Sequence, residues 1–448
     1  MKEPIISVSG LRGVIGESLT PDLAMRFAVA FASDLQAGPI VLTRDGRGSG
    51  WMLGEAIRAG LCAIGREVLD GGVAATPTTG VLVRERSAAG GIQISASHNP
   101  APYNGIKLFH AKGQVLDAVS GEAVLRRFRA GEYAWVDQAR LGKVTVAEDT
   151  LSHHLRLVLS TVNVERIRAQ RYRVLLDSNG GAGSLLGHRL LEALGCRITQ
   201  LGGEPNGHFA HPPEPTLENL TEVQKAVVHA PANIGFCQDP DADRLALIDE
   251  TGHYIGEEYT LVLCLDHVLR THRGPIVTNC STSRMSQDIA QRYDVPFHRS
   301  AVGEANVVGL MQREGAVFGG EGNGGPIDPR VVYVRDSFVG MARVLDAMAE
   351  RQIPLSQWVR ELPRYAIHKT KVTLEPQQVG AALDALQRGF ADATPDRLDG
   401  LRLDWPDRWL LVRASNTEPI VRIVAEAPQL GQAEDLCRRA RSILAELA

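Results

Sequence analysis

Three aspartates alternate within GFCQDPDADRLALID (235–249), at Asp239, Asp241 and Asp243. In an extended strand, at roughly 3.3 Å per residue, the outer two Cα atoms would stand about 13 Å apart. Magnesium takes oxygen ligands at about 2.1 Å, so two short side chains cannot meet across that span. Pro240 also argues against a regular strand. The spacing therefore predicts a curled turn that gathers three carboxylates at one point. Close anions repel, and a divalent cation is the simple compensation; an uncompensated acidic turn is the alternative. An EF-hand needs a longer loop with a glycine and a terminal glutamate, which are absent. Three Asp ligands leave octahedral Mg2+ with open positions that suit a phosphate oxygen. Arg244 follows directly and is a candidate ligand for the same phosphate.

A candidate nucleophile lies in GGIQISASHNP (90–100). Apolar alternation reads as a strand running into a polar turn with Ser95, Ser97, His98 and Asn99, stopped by Pro100. Ligand sites gather at strand ends in α/β sheets, and a turn of small residues exposes a hydroxyl and backbone N–H groups. One reading is a nucleophilic or phospho-accepting serine, Ser97 ahead of Ser95; the other is a hydrogen-bonded turn. His98 is a candidate activator. Adjacent residues seldom face each other, however, and bracing the turn is an equally good role. The glycine-rich GGEGNGG (319–325) leaves Glu321 and Asn323 as its polar side chains, suited to vicinal sugar hydroxyls or to a plain turn. RASNTEPIVRI (413–423) offers Arg413, Ser415, Asn416, Thr417 and Arg422, a composition for holding phosphate without hydrolysing it. A solvated edge is the other reading of Arg422. Arg12 in SGLRG (9–13) and Lys107 in YNGIK (103–107) add cations, the first where glycines let backbone approach a ligand closely.

These motifs need strands and turns to position them. A short apolar run, a Gly/Ser loop, a helical period and a second strand recur from residues 39–43, 172–176 and 275–279. Such βαβ units favour parallel strands. They predict three related α/β domains in tandem over 1–150, 151–252 and 253–366, against the alternative of one large doubly wound sheet. Residues 367–448 carry closely spaced strands and a final helix, an α+β pattern. The chain is 448 residues long, enough for several domains of about 150. Its net charge is −4 and it is 44% hydrophobic. That balance excludes a basic nucleic-acid-binding surface, and no apolar run is long enough to span a bilayer. Six scattered cysteines without a Cys/His cluster make a disulfide framework or zinc site improbable. The start MKEPIISVSGLRG has no secretory signal, so a cytoplasmic location is expected.

Taken together and in order, ISASHNP, DPDADR, GEGNGG and RASNTEP resemble the phosphoserine, metal, sugar-recognition and phosphate-binding loops of the α-D-phosphohexomutases. SGLRG, YNGIK and HPPEPTLENL (211–220) also resemble family stretches. The resemblance implies four domains around a central cleft, three of them related. It implies that Ser97 carries a phosphoryl group, with Mg2+ held between that phosphate and Asp239, Asp241 and Asp243. It further implies exchange through a hexose 1,6-bisphosphate, with Arg12, Lys107 and His98 assisting catalysis. Arg244, Glu321, Asn323, Arg413, Ser415, Asn416, Thr417 and Arg422 would bind substrate. The expected partner is a small-molecule sugar phosphate, with no nucleic acid and no membrane, acting on a monomer or homodimer. The ISASHNP form is similar to phosphoglucosamine mutases, which points to glucosamine 6-phosphate and its 1-phosphate; phosphoglucomutase/phosphomannomutase is the alternative. Many members have Ser where this chain has Asn323, His where it has Gly325 and Gly where it has Asn416. A metal-dependent phosphatase and a non-catalytic sugar-phosphate binder are the competing readings.

Overall fold

The computed structural model describes residues 4–7, 10–414 and 420–446. Strand Ile40–Arg44 leads through helix Ser49–Ala63 to the parallel strand Val68–Val73. Strand Arg173–Asp177 does the same through Gly183–Ala193 to Arg197–Leu201, and Ile276–Asn279 through Met285–Arg292 to Phe297–Ser300. Right-handed crossover geometry makes this the natural product of a buried apolar run followed by a helical period. The strands belong to separate sheets of seven, four and four strands, so the three related domains are tandem copies and not one large sheet. Strands Ala366–Thr373, Thr394–Asp396, Leu401–Asp404, Trp409–Ala414 and Ile420–Ala427 form a fourth, wholly antiparallel sheet, covered by helix Leu430–Ala445.

The repeats share a further feature. In each, a third strand pairs parallel to the first and then turns back into an antiparallel partner. These third strands are Gly90–Ile94, Ile234–Gln238 and Phe318–Glu321, followed by Tyr103–His110, Leu245–Asp249 and Gly325–Ile327. The reversals after them are the serine turn, the aspartate turn and the glycine-rich turn. Three chemically different motifs therefore occupy one topological position.

A single buried apolar cluster runs from Val41 and Leu82 through Leu176, Leu247 and Phe338 to Trp358, binding the first three domains together. The fourth has its own cluster around Phe390, Leu410 and Leu436. Helix Ser337–Arg351 is buried along most of its length, and Asp336 caps its start by accepting from the backbone N–H groups of Phe338 and Val339. All six cysteines are free, and no helix among the described residues is long and apolar enough to cross a membrane.

Candidate active site

The aspartate turn curls as its proline and spacing require. Strand Ile234–Gln238 ends just before Asp239, and Ala242 adopts a left-handed φ of 55°. That conformation costs a non-glycine residue about 1–2 kcal/mol and persists only where surroundings enforce it. The result brings one carboxylate oxygen each from Asp239, Asp241 and Asp243 within 4.8 Å of one another, all fully buried. Asp241 Oδ1 and Asp243 Oδ1 have no hydrogen-bond partner. Buried anionic oxygens left unpaired are strongly disfavoured, so the donor set fits a hard divalent cation.

The first domain brings Ser97 to the same point. Ser97 is also left-handed, with φ 50°, and its hydroxyl donates to Asp239 Oδ2 at 2.8 Å. Ser95 has a different task. Its hydroxyl donates to Asp45 Oδ2 at 2.7 Å and accepts from the Ser97 backbone N–H at 2.9 Å, bracing the turn. His98 departs from the expectation that chain neighbours seldom face each other. The left-handed Ser97 swings its Oγ to 3.3 Å from His98 Nδ1. Burial, followed by repulsion from Arg244 and Arg12, pulls the imidazole pKa down to about 3, so the ring is neutral at pH 7.

Lys107 Nζ donates to Asp241 Oδ2 at 3.0 Å and Asp243 Oδ2 at 2.9 Å. Burial alone would lower its pKa, but the two carboxylates outweigh burial and hold it above the ordinary lysine value. Burial alone would raise Asp241, but the charge of Lys107 and hydrogen bonds with Asp239, Thr76 and Lys107 hold it below the usual carboxylate range. Asp239 is pushed well above that range by burial and by its two acidic neighbours. Arg12 Nη1 donates to Asn99 Oδ1 at 3.2 Å, so it adjoins the serine turn. It lies in the regular strand Gly10–Val14, paired with Tyr103–His110. Arg244 donates its backbone N–H to Asp239 Oδ1 at 3.1 Å, while its guanidinium lies 3.5 Å from Glu214.

Glu321 and Asn323 line a cavity of about 510 Å³ together with Arg413, Arg422, Lys369 and Lys371. In the fourth sheet Arg422 stands opposite Lys371 on one side and Arg413 on the other, giving a basic row across three strands. Arg422 is exposed, yet its neighbours place it in the cavity wall rather than on a bare edge. Ser97 and the three aspartates do not line this cavity. Glu321 is less free than the glycine-rich motif suggested. It accepts from Asn279 at 2.7 Å, the Gly303 N–H at 3.2 Å and Arg335 at 2.7 Å. Ser415, Asn416 and Thr417 lie outside the described residues.

Several neighbours escaped the sequence reading. Thr76 donates to Asp241 Oδ2 at 2.6 Å and sits at a helix start, with nothing in TPTTG to mark it. Arg335 reaches Asp243 and Glu321 from a segment with no recognisable motif. Arg47, buried under the ring of Phe209, donates to the carbonyls of Ser97, Asn99 and Pro100. Lys371 was hidden in an ordinary alternating strand.

Residues 4–134, 152–252 and 256–365 match the phosphoglucomutase/phosphomannomutase alpha/beta/alpha domains I, II and III, and 370–443 match the C-terminal domain of the same proteins. The chain is 35% identical to a phosphoglucomutase/phosphomannomutase of Thermococcus kodakarensis, over 98% of this chain and 97% of that protein. It is 32% identical to a probable phosphoglucosamine mutase of Pyrococcus horikoshii, over 97% and 96%. A crystal structure of a phosphoglucomutase/phosphomannomutase family protein from Burkholderia thailandensis superposes with a TM-score of 0.82 at 26% identity, covering 99% of this chain and 98% of that one.

Proposed function

The chain belongs to the phosphoglucomutase/phosphomannomutase family, and on that premise we propose that it interconverts glucosamine 6-phosphate and glucosamine 1-phosphate through a phosphoserine at Ser97. The observation that carries this reading is the hydrogen bond from the Ser97 hydroxyl to Asp239 within the three-carboxylate cluster. Asp239, Asp241 and Asp243 would hold Mg2+ together with a phosphate on Ser97. The ion would supply neutralisation of charge on the transferred phosphoryl group.

In the first half-reaction the Ser97 Oγ–phosphorus bond breaks as a sugar hydroxyl oxygen bonds to phosphorus, and the sugar hydroxyl's proton passes to the departing Ser97 Oγ, leaving a serine hydroxyl. The product is a bound 1,6-bisphosphate. After it reverses its orientation, the other phosphate's sugar oxygen–phosphorus bond breaks and Ser97 Oγ is phosphorylated again. Serine regains its phosphoryl group and the sugar oxygen its proton, so the cycle balances. Lys107 and Arg12 bring fixed positive charge to the transfer point, where electrostatic stabilisation does most of the work in phosphoryl transfer. With the Ser97 proton donated to Asp239, neutral His98 would donate its Nδ1–H to Ser97 Oγ. Lys371, Arg413 and Arg422 form a basic wall suited to the phosphate that is not reacting. Asn323 carries an amide that can both donate to and accept from sugar hydroxyls.

The ISASHNP form of the serine turn and the relative at 32% identity bearing the phosphoglucosamine mutase name support this substrate. The relative at 35% identity favours a second reading, glucose and mannose phosphates, with the same residues in the same roles. The test is a parallel assay of glucosamine 6-phosphate, glucose 1-phosphate and mannose 1-phosphate with catalytic 1,6-bisphosphate. Intact mass of wild type and Ser97→Ala is recorded alongside. A phosphate adduct lost in Ser97→Ala, with glucosamine phosphate turned over fastest, is expected. Glucosamine phosphate as the poorest substrate would give the second reading the place, and full turnover by Ser97→Ala would remove the nucleophile.

A further inference from the structure

Residue 325 is glycine where many phosphohexomutases carry histidine, and its surroundings contain the reason. A Cβ on Gly325 would lie 2.4 Å from Cδ of Arg335, 2.8 Å from its Cγ and 3.1 Å from its Cβ. The arginine's aliphatic stem fills the volume that a side chain at 325 needs. These are stem atoms close to the backbone, so the arginine has little freedom to step aside. Its guanidinium then bridges two loops. Nη1 donates to Glu321 Oε2 and Nη2 to Asp243 Oδ2, each at 2.7 Å, and Nε lies 3.3 Å from Glu304 Oε2. The side chain is 11% exposed.

We propose that Arg335 is a positioning residue that couples the sugar-recognition turn to the metal-binding turn, standing in the space that a side chain at residue 325 would occupy. The proposal rests on the mutase reading and adds a residue to it. The planar fork holds two donors in a fixed, spread geometry, Nη1 on Glu321 and Nη2 on Asp243, which a lysine's single nitrogen does not reproduce. It engages Asp243 Oδ2 and leaves Oδ1 as the buried oxygen without a hydrogen-bond partner. On the other side it completes the set around Glu321. Asn279 and the Gly303 N–H donate to Oε1, Arg335 and, at 3.5 Å, Asn323 donate to Oε2, so both oxygens are engaged. A histidine at 325 would be titratable; this fork keeps its charge across the working pH range.

The test compares Arg335→Gln, Arg335→Lys, Gly325→Ala and the double variant Gly325→Ala/Arg335→Gln. Because Gly325→Ala displaces the arginine stem, it should lose kcat by about the same factor as Arg335→Gln, on the order of 100-fold for a misplaced site. The double variant should be no worse than either single one. Arg335→Lys should not rescue. Apo-protein titrated with Mn2+ alone supplies a second readout. Both single variants should bind it more tightly than wild type, by about tenfold, because a fixed cation has left Asp243. Ser97 phosphate content by intact mass should stay at the wild-type level. Multiplicative losses in the double variant, full activity in Arg335→Lys, or unchanged Mn2+ affinity would each overturn the coupling. A wild type inert on every hexose phosphate would instead defeat the mutase reading, and the Mn2+ comparison would still decide the coupling. Should Arg335→Gln fail to fold, Gly325→Ala and Arg335→Lys carry the comparison.

Discussion

Replacing Arg47 with methionine should loosen the serine turn without touching any group at the transfer point. Arg47 is 2% exposed. Its fork donates to the Ser97 carbonyl at 2.6 Å, the Asn99 carbonyl at 2.7 Å and the Pro100 carbonyl at 3.1 Å, and pairs with Asp45 at 3.1 Å. Phe209 covers it, with its ring centroid 4.8 Å from the guanidinium carbon. Methionine keeps the packed stem and removes the fork. Breaking a buried ion pair from one side costs about 3–5 kcal/mol, and each orphaned carbonyl adds about 1 kcal/mol. Asp45 limits the loss. Burial already pushes its carboxyl upward and Arg47 opposes that, so removing Arg47 shifts Asp45 further toward its neutral form. The lower end, about 3 kcal/mol, is therefore expected, which is about two decades in a local opening equilibrium. Hydrogen exchange followed by mass spectrometry checks this. Peptides covering residues 90–105 should lose about 100-fold in protection, while peptides from the fourth sheet keep theirs. Unchanged protection in 90–105, or equal loss across all four sheets, would refute the assignment of Arg47 as the clasp of the serine turn.

Thr76→Val removes the hydroxyl donor to Asp241 while keeping the β-branched shape; a loss of about 1–3 kcal/mol in Mg2+ or Mn2+ binding, measured by calorimetry, is expected. Lys371→Ala and Arg422→Ala should raise KM for sugar monophosphates about tenfold or more with smaller effects on kcat, since both cations stand in the cavity wall away from the serine. His211 supplies a pH dependence. Burial lowers its pKa, but the hydrogen bond and charge of Asp177, 2.8 Å away, outweigh burial and raise it above the ordinary histidine value. A raised folded-state pKa means that this ion pair stabilises the fold below about pH 6.5 and that the contribution disappears as pH rises through the folded value. NMR titration should place His211 above 6.5 in wild type and lower in Asp177→Asn; an unmoved value would contradict the pairing.

Local chemistry was legible where one short segment carried a whole motif. Alternating carboxylates with Pro240 demanded a curl, and the three aspartates do converge. The three βαβ units were readable from the alternation of apolar runs and helical periods. The common placement of the serine, aspartate and glycine-rich turns was not, because nothing in their residue types relates a hydroxyl, a carboxylate cluster and a glycine loop. Long-range partners were equally hidden. Thr76 meets Asp241 across 165 residues, and Arg335 meets Asp243 across 92. Neither position has a local pattern that differs from a helix start or a loop arginine. For His98 the sequence left activation of Ser97 and bracing of the turn equally open, because the ordinary extended backbone separates neighbours. The left-handed conformation at Ser97 brings them together.

The account stands on phosphoryl exchange between Ser97 and a sugar. Enzyme carrying 32P on Ser97 should be mixed with unlabelled glucosamine 6-phosphate, at enzyme excess, and quenched within one turnover. The label should appear in the sugar 1,6-bisphosphate and then in the monophosphate. Label released as inorganic phosphate at the rate of isomerisation, or label that stays on the protein while product forms, would contradict it.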